Sequence, residues 1–304
     1  MGFFSGRIGT PGAREENVES VKIGVIGGSG LYDIDGLTVQ EERRVQTPWG
    51  DPSDALIIGE LGGQKIAFLA RHGRGHYLSP SEVNYRANIA AMKMLGVEEI
   101  IAFTAVGSLR EEIPPRDFVL PNQIIDRTKG IRASTFFDEG LVVHATFGDP
   151  FTDHLADIVF AKAGVLEGVK MHRDKTLVVM EGPVFSTRAE SNMYRQWGGD
   201  IINMSSIPEA KLACEAEIAY QPVCMSTDYD SWRIEEEAVT AEYIIGNLMA
   251  NAGNAKKLLA AIVPELGKQP NPRTGTIKNA VITAPEKRNP DTVAKLNQLL
   301  PGYF

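Results

Sequence analysis

The strongest constraint on this chain is a series of short apolar runs that end abruptly in glycine, hydroxyl or charged residues, with helical spacing between them. Residues 21–26 form a β-branched run closed by Gly27-Gly28-Ser29-Gly30. Residues 55–60 and 65–70 flank Leu61-Gly62-Gly63-Gln64, which predicts a hairpin. Residues 99–106, 118–125, 176–180, 200–204 and 219–227 have the length and composition of buried strands. Residues 84–95, 151–163, 189–197, 208–215 and 236–262 carry helical patterns, the first with Gly96 at its C-terminal cap. Residues 264–290, rich in Pro, Lys, Asn and Thr, are expected to be irregular, and residues 291–300 to form a last short helix. Strands alternating with helices imply an α/β fold layered around a central sheet. No repeat, low-complexity stretch or composition break divides the chain, so residues 21–304 are expected to form one domain, and residues 1–20 a flexible leader.

Charge narrows the partners. The 304 residues carry a formal net charge of −8, without a basic patch, which argues against nucleic acid. No apolar run approaches the ~18 residues needed to span a bilayer, so no membrane partner is expected. Cys214 and Cys224 are the two cysteines, expected as free thiols in a reducing cytoplasm.

Chemistry concentrates where the strands stop. The glycine turn around Ser29 suits either a tight turn or an anion cradle, because glycines let backbone N–H groups approach closely. It matches neither G-x-G-x-x-G nor G-x-x-x-x-G-K-[ST], which disfavours a dinucleotide or nucleoside triphosphate. Arg71-His72-Gly73-Arg74 follows a strand; the pair Arg71 and His72 suits phosphate oxygens or a structural pairing with carboxylates. His76 could be a structural histidine. Thr104 and Ser108 close one strand, and Ser186-Thr187 lies between a strand and a helix. Ser186 or Thr187 could bind an oxyanion or cap that helix, with Glu190 completing a capping box. Asp228-Tyr229-Asp230 follows the most apolar strand. A carboxyl walled by apolar groups has its pKa raised and can donate a proton near neutral pH; a surface turn is the alternative. Zinc spacings and a G-x-S-x-G elbow are absent, so neither a metal site nor a hydrolase triad is expected. His144, His154 and His172 are scattered.

Taken in order, seven stretches resemble the 5′-methylthioadenosine phosphorylase family, within the trimeric purine nucleoside phosphorylase superfamily. They are Gly24–Gly30, Ala70–Arg74, Pro80–Tyr85, Thr104–Glu112, Glu181–Glu190, Asn203–Glu209 and Ser226–Trp232. The resemblance runs from about Val21 to Ile262 and fades from Pro264. It implies a nucleoside phosphorylase-like single α/β domain: a central mixed twisted β-sheet, partly barrel-like, flanked by helices. It further implies that Ser29, Arg71, His72, Thr104, Ala105 and Ser205 hold phosphate. Asn203 and Met204 would face the ribose, and Phe185 the purine. Asp228, Asp230 and Ser186 would be the catalytic set, with Asp228 facing N7 of adenine and Asp230 its 6-amino group. His144 of a neighbouring subunit would enclose the methylthio group with Val239, Ile244 and Ile245. Ser29 and Ser205 stand where family members often carry threonine; both keep the hydroxyl.

The implied reaction is phosphorolysis of methylthioadenosine with phosphate as co-substrate and no cofactor. The implied assembly is a homotrimer or a dimer of trimers, and the implied compartment the cytoplasm. The competing expectations are a purine nucleoside phosphorylase acting on inosine or adenosine, a hydrolytic nucleosidase, and a non-catalytic nucleoside-binding module.

Overall fold

The computed structural model describes residues 20–27, 31, 34, 36–233 and 241–304. The expected leader, the glycine turn with Ser29, and Val239 lie outside the described residues.

The chain opens with β1 (Ile23–Gly27), β2 (Thr38–Arg43) and the hairpin β3 (Leu56–Leu61) and β4 (Gln64–Ala70). Helix α1 (Tyr85–Met94) leads to β5 (Glu99–Ser108) and β6 (Phe118–Arg127). Then come α2 (Asp153–Ala161), β7 (Met171–Met180), α3 (Arg188–Gln196) and β8 (Ile201–Asn203). The series closes with α4 (Ser206–Glu215), β9 (Ala219–Asp228), α5 (Ala241–Ile262) and α6 (Pro290–Leu296).

The strands form one mixed sheet in the order β2-β3-β4-β1-β5-β8-β7-β6-β9. Strand β9 also pairs with β5, so β5, β8, β7, β6 and β9 close into a barrel, and β1–β4 extend it as an open wing. Closure explains why β9 is buried at all ten positions: it has neighbours on both edges and cover on both faces. Within the wing β1 is parallel to β4 and β5, and β3 is antiparallel to β4.

Helices cover the sheet in two apolar layers. Leu258, Leu259 and Ile262 of α5 pack with Leu155 and Val159 of α2 and with Val25, Phe103 and Val223 of the sheet. Ile89 and Met92 of α1 and Leu212 and Ala213 of α4 cover Ile26, Ala102 and Cys224. Helix α1 begins where the Asn84 side chain accepts from Ala87 N, and stops at Gly96, whose φ of +93° is a backbone state glycine tolerates. Both cysteines are free and buried. Among the described residues, no helix is long and apolar enough to cross a membrane.

Candidate active site

The ends of β4, β5 and β9 converge on a cavity of about 520 Å³. Register fixes its layout. Thr104 of β5 stands beside Cys224 of β9, and three residues on Gly107 stands beside Asp228. At ~3.3 Å per residue the backbone at Thr104 therefore lies about 10 Å along the strand from the backbone beside Asp228. Strand β8 runs antiparallel to β5 with Ile202 beside Gly107, which carries Asn203, Met204 and Ser205 back toward Thr104. Gly107 leaves room for the acids: a Cβ there would lie 3.0 Å from Asp228 Oδ1 and 3.3 Å from Asp230 Cβ.

At the Thr104 end, hydroxyls gather. Thr104 Oγ1 and Ser205 Oγ are 3.2 Å apart. Asn203 Nδ2 donates to Thr104 Oγ1 at 3.3 Å and to Ser206 Oγ at 2.8 Å. Arg71 is 1% exposed and its fork grips Glu209: Nε donates to Oε2 at 2.6 Å and one terminal nitrogen to Oε1 at 2.8 Å. The other terminal nitrogen donates to Phe103 O at 3.0 Å, and Tyr220 Oη donates to Glu209 Oε1 at 2.7 Å. Burial opposes the Arg71 charge, but Glu209 more than offsets it, so its pKa rises above the usual value. Structural pairing and cavity lining thus coexist in one side chain. The His72 ring nitrogen Nδ1 lies 2.9 Å from Leu78 O. A carbonyl only accepts, so Nδ1 carries the proton and Nε2 is the acceptor. Burial, then the neighbouring Arg71 charge, pushes the His72 pKa down to about 3, which leaves the ring neutral. His76 stacks on it at 4.3 Å and also lines the cavity.

At the acid end, Asp228 Oδ1 accepts from Asp230 N at 2.8 Å, and Thr227 Oγ1 lies 2.7 Å from Asp228 Oδ2. Burial pushes the Asp230 carboxyl up to about 6; the Ser191 hydroxyl pulls it down and the Asp228 charge pushes it further up. Protonated Asp230 is thus favoured by the fold. Its stabilising contribution is complete below the ordinary 3.8 and is lost as pH rises through about 6.

Phe185, Asn203, Met204, Ile244 and Ile245 line the same cavity, as does Ala105. Two expected residues do not. Ser186 is buried with Oγ 3.4 Å from the Met180 sulfur, and its carbonyl accepts from Ser231 Oγ at 2.7 Å, so it braces the acid-bearing turn. His144 is exposed, away from the cavity of its own chain, with its backbone N–H on Ala280 O. The capping alternative holds at Thr187: its hydroxyl accepts from Glu190 N while Glu190 Oε2 accepts from Thr187 N at 2.8 Å. Among the described residues, no group of three His, Cys, Asp or Glu is placed to hold a metal ion. His154 and His172 face Glu99 and Asp117 at 3.3 and 2.7 Å, as structural pairs.

Glu209 and Arg132 escaped the reading of residues as site candidates. Arg132 is buried, pairs with Glu181 at 2.7 Å, and donates to the carbonyls of Ile207, Met204 and Glu181. It fixes the turn that presents Met204 and Ser205. Glu209 ends the Asn203–Glu209 stretch, which is a usable signal; Arg132 lies in an unpatterned loop.

The phosphorylase superfamily model matches residues 22–264. An S-methyl-5′-thioadenosine phosphorylase of Tuber melanosporum is 55% identical over 300 residues, covering 94% of this chain and 97% of that protein. A methylthioadenosine phosphorylase sourced from an antarctic soil metagenomic library superposes with a TM-score of 0.88 at 45% identity, covering 93% and 99% of the two chains. The Schistosoma mansoni methylthioadenosine phosphorylase in complex with adenine superposes at 0.82 with 34% identity, covering 86% and 99%. The ordered motifs, the closed barrel and these likenesses converge: the chain belongs to the S-methyl-5′-thioadenosine phosphorylase family of the phosphorylase superfamily.

Proposed function

We propose that this chain splits 5′-methylthioadenosine with inorganic phosphate into adenine and 5-methylthioribose 1-phosphate. The observation that carries the reading is that one cavity holds hydroxyl donors at Thr104 and Ser205 and, where the backbone has run about 10 Å further along the β5–β9 pair, the carboxyls of Asp228 and Asp230. That is the span from an attacking phosphate, across a ribose, to a purine. Adenine release that tracks phosphate concentration tests it.

Phosphate oxygen attacks C1′ as the C1′–N9 bond breaks, and the sugar passes through an oxocarbenium-like state. Thr104, Ser205 and the backbone at Ala105 donate to the phosphate, and the family resemblance adds Ser29 to that set. Because Glu209 neutralises Arg71 within the wall, the site holds the anion largely by dipoles. The phosphate keeps its charge for the developing cation. Neutral His72 Nε2 accepts from the phosphate O–H. The Met204 backbone N–H faces the ribose hydroxyls, Asn203 supports that turn, and Phe185 packs on the base. Thr227 Oγ1 has one proton for two oxygens, Val106 O at 3.2 Å and Asp228 Oδ2 at 2.7 Å. Asp228, buried on the cavity wall, gives a hydrogen bond, or its proton, to N7 as the base departs. Ser186 acts through Ser231 as a support for this turn.

Ionised Asp230 accepts from the 6-amino group. Activity toward a 6-amino purine is therefore expected to fall as pH drops through about 6, where Asp230 takes up its proton. In Asp230→Asn the amide presents a donor, and the preference for methylthioadenosine over methylthioinosine is expected to narrow roughly 10- to 100-fold in kcat/KM. An unchanged ratio removes Asp230 from base choice.

Ile244 and Ile245 form the apolar wall for the 5′ group, to which the family resemblance adds Val239. Since His144 lies on the outside of its own chain, a second copy supplies it, in a homotrimer or a dimer of trimers. Exposed Val142 and Ile282, joined by a backbone bond beside His144, suit that interface. Residues 21–304 act as one domain in the cytoplasm, with phosphate as co-substrate and no cofactor.

A further inference from the structure

Two buried polar atoms stand side by side in the acid-bearing corner, and neither has a hydrogen-bond partner among the described residues: Ser191 Oγ on α3 and Asp230 Oδ2. Ser191 is 0% exposed and Asp230 7%. The hydroxyl favours the ionised carboxyl, although neither oxygen has a hydrogen-bond partner among the described residues. Orphaned buried polar atoms cost free energy, so an adjacent pair of them invites a contact that closes in some state of the enzyme.

The corner is clamped around this pair. The Thr187–Glu190 capping box fixes the start of α3, and Ser191 N donates to Thr187 O at 2.9 Å, so the helix backbone beside the hydroxyl is locked. On the facing turn, Ser231 Oγ holds Ser186 O, and Trp232 Nε1 donates to Ser108 O at 2.8 Å. The Arg195 guanidinium lies 3.7 Å over the Trp232 ring, which ties α3 to the turn from the other side. Asp230 itself has a φ of +49°, a state a non-glycine residue holds only where its surroundings impose it. Backbone and clamps leave the carboxyl and the hydroxyl little to do but rotate toward each other.

We infer that Ser191 is a positioning residue, whose hydroxyl donates to the Asp230 carboxylate and so holds the acceptor that separates 6-amino from 6-oxo purines. This rests on the reading of the cavity as a purine nucleoside site. The charge balance supports it. The groups facing Asp230 are Asp228 on β9, Glu190 and Tyr194 on α3, and the Ser231 backbone N–H on its own turn. Glu190, and Asp228 whenever it is ionised, push Asp230 toward its protonated form, which donates and suits a 6-carbonyl. A hydroxyl can serve either form, but its bond to the ionised form is the stronger one. Ser191 on α3, together with the Ser231 N–H, thus tips the carboxyl toward accepting.

The test compares pH profiles of kcat/KM for methylthioadenosine in the full chain, Ser191→Ala and Ser191→Thr. Loss of the hydroxyl is expected to move the acid limb up by about one pH unit. From a limb near 6, that lowers kcat/KM roughly threefold at pH 6.5 and leaves it within about twofold at pH 9. The preference over methylthioinosine at pH 6.5 narrows alongside, and the threonine variant, which keeps the hydroxyl, restores the limb. Should the alanine variant fail to fold, Ser191→Cys, with its weaker donor, is expected to show a smaller shift in the same direction. A merely structural serine would lower activity evenly across pH. Acid limbs that coincide with that of the unchanged protein overturn the inference. Failure of the underlying reading is recognised separately, because the unchanged protein would then release no adenine in the presence of phosphate.

Discussion

Replacing Asp228 by alanine is expected to lower kcat ~10²- to 10³-fold while KM for methylthioadenosine moves less than about threefold. The asymmetry follows from when the contact matters. In the ground state N7 of adenine is a weak acceptor; as the C1′–N9 bond opens, electron density builds in the ring and a donor at N7 becomes worth several-fold more. An interaction realised only in the transition state changes kcat and leaves substrate affinity alone. The position is specific: Asp228 ends β9 opposite Gly107, where the missing side chain makes room for the carboxyl, and Asp230 N holds Oδ1 in place. Steady-state kinetics at saturating phosphate measure both quantities. A near-normal kcat removes Asp228 from the acid role.

The second large effect concerns a residue that touches no substrate in this account. Glu209→Ala leaves the Arg71 guanidinium buried at 1% exposure without its counter-ion, and also strands the Tyr220 hydroxyl. Breaking a buried pair on one side costs ~3–5 kcal/mol, against ~0–1 for an exposed pair. For a chain of this size that corresponds to a melting temperature lower by roughly 10 °C. Arg71 also lines the hydroxyl end of the cavity, proposed above to hold phosphate, so KM for phosphate is expected to rise with the loss of its fixed orientation. Calorimetry and a phosphate titration check the two halves. An unaltered melting temperature would mean that the pair contributes no net stability.

The fold was legible where a side-chain pattern repeats. Strands β1, β3 to β9 and the helices fall on the runs predicted for them, because apolar periodicity reports burial directly. Strand β2 was missed because Thr38–Arg43 is exposed at five of six positions, with no apolar face to read. It is an edge strand held by its backbone bonds to β3 and by the exposed Glu42–Arg74 pair. Closure of the barrel came from the family resemblance alone, since the β5–β9 pairing joins residues about 120 positions apart and leaves no local mark. The site shows the same division. Asp228, Asp230, Arg71 and Thr104 stood out because they end apolar strands, where a polar residue needs a reason. Glu209 was hidden inside a helix, where charged residues are ordinary, and Arg132 in a loop, where they are more so. Ser191 resembled any helical serine; only its burial against Asp230 distinguishes it.

The central claim is that the hydroxyl end of the cavity delivers phosphate to the sugar. The fate of that sugar tests it most directly, with methylthioadenosine as substrate and phosphorus NMR as the readout. Adenine and 5-methylthioribose 1-phosphate are expected to form in equal amounts, and adenine release is expected to stop when phosphate is removed. Adenine release that continues without phosphate, with free methylthioribose as the only sugar product, would contradict the account.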